Sequence, residues 1–175
     1  MVFAYYKKLS RQNQAIYRKS DAKETIHLSK PELFYDHICT LQEGLELADR
    51  RMTENTANSL LNAMAVHIAA PDMHIRVLSS RPSNDEEELH GLYEPVELDK
   101  KARITVWMRT AKHKKIVAFR SFLRTLLHEF CHHLDYEYFL FEDSFHTQGF
   151  FKREAHLFRQ LLNEEEKEPK VFVQT

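Results

Sequence analysis

The stretch "LLHEFCHHLDY", residues 126–136, sets His128, Glu129, His132, His133 and Asp135 among Leu126, Leu127, Phe130, Cys131 and Leu134. Ionisable side chains inside an apolar run are costly unless something pairs them. The apolar pattern continues upstream through Val117, Phe119, Phe122 and Leu123, and neither Gly nor Pro interrupts residues 115–141, so one long helix is expected there. Residues four apart on a helix share a face, which aims His128 and His132 at a common point with Glu129 beside them. Zinc suits such a pair: it accepts imidazole nitrogen at about 2.0–2.1 Å, and in catalytic sites it keeps one position open for water. Glu129 is then placed as general base. The competing reading, a core helix with satisfied histidines, has to explain two His and one Glu in an apolar segment.

A third protein ligand must come from elsewhere. His146 lies in the break "EDSFHT" (142–147), where a chain reversal would return it opposite the pair, and Phe150 could pin the next helix to the core. Glu154, an acidic residue on that next helix, is the rival ligand, and an exposed loop histidine is the plainer reading of His146. Asp135 shares a face with His132 and is expected to hydrogen-bond a ligand imidazole rather than bind metal. His133 points about 100° away and reads as a surface or loosely packed residue. Tyr136 and Tyr138 are able to donate to an oxyanion but read first as packing, and Cys131 reads as a small core hydrophobe.

Working outward, residues 3–18 carry helical spacing, as do Lys30 to Ala69, where Pro31 suits a first turn and a second helix is expected over 54–69. The period then changes to two: 74–80, 89–98 and 102–108 read as strands, with Asp99 and Lys100 turning the last two into a hairpin. The segment 81–88 reads as a solvated acidic loop, Thr147 as an N-cap, and 148–166 as a final helix. These elements predict an α+β domain spanning 1–175: an N-terminal arm (1–30), a helical part (31–70), a sheet with the zinc-site helices (71–166) and a tail (167–175).

The pairing of "TLLHEFCHHLDY" with "SFHTQGFFKREAHLF" resembles the SprT-like zinc metallopeptidases, in which H-E-x-x-H is followed by a third zinc histidine opening an H-x-x-x-F pattern. In this sequence that pattern runs from His146 to Phe150. The resemblance implies a zincin-like fold with N-terminal helices, a small three-stranded sheet, a long active-site helix and a C-terminal helix. It also implies a Zn2+ site of His128, His132 and His146. Many relatives carry a C-terminal cysteine-rich zinc ribbon, whereas no cysteine follows Cys131 here.

Composition bounds the function. A formal net charge of −1 advertises neither a nucleic acid nor a membrane partner; Arg109, Lys112, Lys114, Lys115 and Arg120 form a local basic group that reads first as a solvated approach to the helix and otherwise as a site for phosphate, DNA included, or an acidic substrate. Three glycines leave no phosphate cradle. Cys39 and Cys131 are no disulfide framework, so a reducing, cytoplasmic setting is expected, without membrane spans or a secretory leader. The expected activity is hydrolysis of protein or peptide substrates, with 102–108 offering an edge to which an extended peptide adds. The alternative is a zinc-binding regulatory or interaction protein that performs no chemistry.

Overall fold

The alternating apolar residues of 74–80 and 102–108 join these segments directly. The computed structural model describes residues 2–82, 89–97 and 100–164. Its elements are α1 (Arg11–Asp21), α2 (Tyr35–Glu46), α3 (Arg50–His67), β1 (His74–Ser80), β2 (Gly91–Glu94), β3 (Arg103–Arg109), α4 (Phe119–His133) and α5 (Gln148–Leu161). The fold is α+β, with five α-helices and a small mixed sheet ordered β1-β3-β2 among the described residues. β1 runs parallel to β3, and β2 runs antiparallel to it.

That order corrects the expectation for 102–108. β3 is central, paired on both sides, and every residue from Ile104 to Met108 is buried, so it has no free edge for a peptide. The outer edge of β1 is closed by side chains spaced four apart on α3. Asn58 exchanges two hydrogen bonds with the main chain of Ile75 (2.7 and 2.9 Å), Asn62 does the same with Met73, and Glu54 accepts from Val77 N at 2.8 Å. Capping an edge this way satisfies its backbone and blocks further pairing. Among the described residues β2 is therefore the edge without such a cover. It ends at Pro95, which cannot donate to a ladder, and is shorter than the 89–98 expected. Lys100 N reaches Glu97 O at 2.8 Å; Asp99, residues 83–88 of the acidic loop and the 167–175 tail lie outside the described residues.

Three helix boundaries move for local reasons. The helix expected over 3–18 is a 3-10 turn (Ala4–Lys8) followed by α1, because Ser10 caps α1 by accepting from Asn13 N at 3.1 Å. Asp49 caps α3 through Met52 N at 3.0 Å, starting it earlier than 54. α4 begins at Phe119 rather than 115, since Val117 N bonds Met108 O at 2.8 Å and that segment follows the sheet. After His133 the chain takes a π-helical turn, Leu134–Tyr138, in place of continued α-helix.

α4 presses Leu123, Leu126, Leu127, Phe130 and Cys131, all buried, into the core and packs against β2, β3 and α5. Thr147 caps α5 as expected, accepting from Phe150 N at 3.0 Å. The end of α1 closes on the start of α5 so tightly that a Cβ on Gly149 would stand 2.3 Å from Asp21 O. No helix among the described residues is long and apolar enough to cross a membrane.

Candidate metal centre

His128 and His132 leave α4 one turn apart, and His146 returns from the loop after the π-helical turn. The Nε2 atom of His146 lies 3.0 Å from that of His128 and 3.1 Å from that of His132. Four ligands around zinc at 2.0–2.1 Å stand about 3.3–3.4 Å apart, close to these two separations, and ring nitrogens of all three histidines lie within 4.8 Å of one another.

The other ring nitrogens explain why the Nε2 atoms converge. His128 Nδ1 lies 2.9 Å from Glu154 Oε2, an acceptor-only carboxylate, so the proton of His128 sits on Nδ1. Ser144 donates its hydroxyl to Asp135 Oδ2 at 2.8 Å, and its oxygen accepts from His132 Nδ1 at 2.7 Å. Both helix histidines thus turn lone pairs toward the centre. A proton on His146 Nε2 satisfies only one of them, which makes the cluster complementary to a cation. Three neutral imidazoles suit zinc and other borderline transition metals. Burial, then the neighbouring His128 and His146, push His132 down to about 3, keeping it neutral at ordinary pH.

Glu129 is buried in the wall of the same cavity, where desolvation pushes its carboxyl up to about 7, with His128 opposing and Glu154 adding to the rise. A bound dication would act the other way and favour the carboxylate. Gly91 on β2 makes room for it: a Cβ there would stand 2.4 Å from Glu129 Oε1. The cavity measures about 980 Å³ and runs between β2 and α4, with Tyr93 and Tyr136 at one end and Arg120 and Arg124 at the other.

Several roles differ from those expected. Glu154, the rival ligand, bonds the far nitrogen of His128 and the Arg124 guanidinium (3.0 Å) instead of joining the cluster. Asp135 supports His132, but only through Ser144. His133 is fully buried, donating from Nε2 to Pro71 O at 2.9 Å while its Nδ1 faces the Tyr93 hydroxyl at 3.3 Å, which overturns the surface reading. Tyr136 lines the cavity and donates its hydroxyl to Asp143 at 3.3 Å, whereas Tyr138 is exposed and does not line it. Cys131 is a buried core residue as expected, and Cys39 is exposed. Of the basic group, only Arg120 reaches the cavity; Lys112, Lys114 and Lys115 are exposed in the turn after β3.

What sequence reasoning missed is the hold of the N-terminal segment on the third histidine. Tyr5 donates its hydroxyl to His146 O at 2.9 Å, across 141 residues of sequence. The hydroxyls of Ser20 and Thr147 meet at 3.5 Å, and Gly149 N donates to Asp21 Oδ1 at 3.0 Å. Arg153, fully buried, donates to Ser20 O (2.8 Å), Lys23 O and Asp135 Oδ1 (2.6 Å), joining the end of α1 to the group behind His132. No family model, curated protein or solved structure matches the chain.

Proposed function

We propose that the chain is a zinc-dependent peptidase of the SprT-like, zincin-like type, with His128, His132 and His146 as ligands and Glu129 as general base. One observation carries the reading: ring nitrogens of His128, His132 and His146 all lie within 4.8 Å of one another, the first two with tautomers fixed from behind, in a cavity whose wall holds a buried glutamate. A zinc ion held there supplies a Lewis acid and a water of lowered pKa. The chain does the rest. Glu129, backed against Gly91, takes the proton of the attacking water and returns it to the leaving amine. Glu154 and the Ser144–Asp135 pair hold the ligand rings in register and raise their basicity. An extended peptide pairs with the uncovered edge of β2, beside Glu129, in the role first expected of 102–108. The two free cysteines support a reducing, cytoplasmic setting.

Zinc content and peptide cleavage of the wild type and Glu129→Gln test this. Equal, stoichiometric zinc with cleavage only by the wild type is the expected result. Zinc in both with cleavage by neither would favour the regulatory or interaction protein.

A further inference from the structure

The end of the cavity opposite the tyrosines is built from two arginines that the reaction itself does not need. Arg124 and Arg120 stand one and two turns before His128 on α4, and both line the cavity. Their guanidinium carbons lie 4.9 and 4.4 Å from the ring centroid of Phe158, a platform that favours a planar cation. Carboxylates fix their orientation from the side: Glu164 accepts from Arg120 at 2.6 and 3.4 Å, and Glu154 accepts from Arg124 at 3.0 Å. Even so, the two side chains stay 59% and 51% exposed, and a guanidinium has five N–H donors, so each keeps donors for a ligand.

We propose that Arg120 and Arg124 form an anion subsite, and that the cleft selects peptides with an acidic side chain a short way from the scissile bond. This rests on the peptidase reading of the same cavity. Along α4, Arg124 and Arg120 lie about 6 and 12 Å from His128, at 1.5 Å per residue. An extended peptide covers about 3.3 Å per residue, so the acidic positions fall about two and four residues from the bond cut. An acidic peptide fits better than a nucleic acid. A phosphate backbone calls for a run of cations, and Lys112, Lys114 and Lys115 do not line the cavity. Arg124 also links the subsite to the ligand shell, because its partner Glu154 holds His128.

The test uses zinc-loaded, full-length Glu129→Gln protein and fluorescent peptides in which one Glu, or a Gln at the same place, is scanned along either side of a fixed centre. Anisotropy should show one or two positions where Glu binds about 10-fold tighter than Gln. Arg120→Gln should lower the preference at the farther position and Arg124→Gln at the nearer one. If Arg124→Gln proves unfolded by circular dichroism, Arg120→Gln decides, since it leaves the Glu154 contacts intact. Absence of any Glu preference, or a preference untouched in the folded variants, overturns the proposal; so does a single-stranded oligonucleotide that binds through these arginines when Glu and Gln peptides bind alike. Failure of the two readings is distinguishable. Selective binding without cleavage by the wild type sinks the peptidase and leaves the subsite standing, whereas cleavage indifferent to acidic residues does the reverse.

Discussion

The helix pair and the loop histidine of the cluster are held by opposite means. His128 and His132 grow from the C-terminal half of α4, whose buried face is locked against the sheet, so one helical turn sets their separation. His146 comes from an irregular loop: Tyr5 holds its carbonyl, Ser20 and Asp21 hold Thr147 and Gly149 just after it, and Arg153 ties α5 to Ser20. The first arrangement needs only local sequence. The second needs the finished fold, and so ties the third imidazole to the docking of α1 on α5.

Breaking the joint between the two sides should have the largest effect. Arg153→Met strands Asp135, fully buried, without its cation and frees the end of α1, which should cost about 3–5 kcal/mol of stability by urea unfolding. A loss below about 1 kcal/mol would show that the ion pair does not join the two sides. Next come the groups behind the helix pair. Ser144→Ala and Glu154→Gln should each weaken zinc binding about 10–100-fold in competition with a chelating dye, with folding little changed. Unaltered affinity in both would mean the tautomers need no support. Tyr5→Phe is the gentlest probe of the loop side. It removes one hydrogen bond, worth about 0.5–1.5 kcal/mol, and should weaken zinc by up to about 10-fold. An unchanged affinity would separate the N-terminal segment from the site.

The same contrast explains what the sequence disclosed. The histidine pair, the Thr147 cap and the buried Cys131 were legible because each follows from helical spacing or a turn within a few residues. His133 was misread because direction on a helix does not say what covers that face; Tyr93 and Pro71 do, from 40 and 62 residues upstream. The central place of β3 was hidden for a like reason, since its parallel partner β1 is chosen by the tertiary fold and not by alternation within 102–108. Glu154 was recognised as acidic and near, but only the packing of α5 on α4 decides that it meets Nδ1 of His128 and not the metal side. The Tyr5 contact had no local signal at all.

X-ray absorption spectroscopy of the zinc-reconstituted protein, run beside His146→Ala and Glu154→Ala, reads the central geometry most directly. The wild type should hold one zinc with three imidazoles and one oxygen ligand, His146→Ala should lose an imidazole and most of its affinity, and Glu154→Ala should keep all three. A wild type without stoichiometric zinc, or an imidazole count that His146→Ala leaves unchanged, would contradict the account.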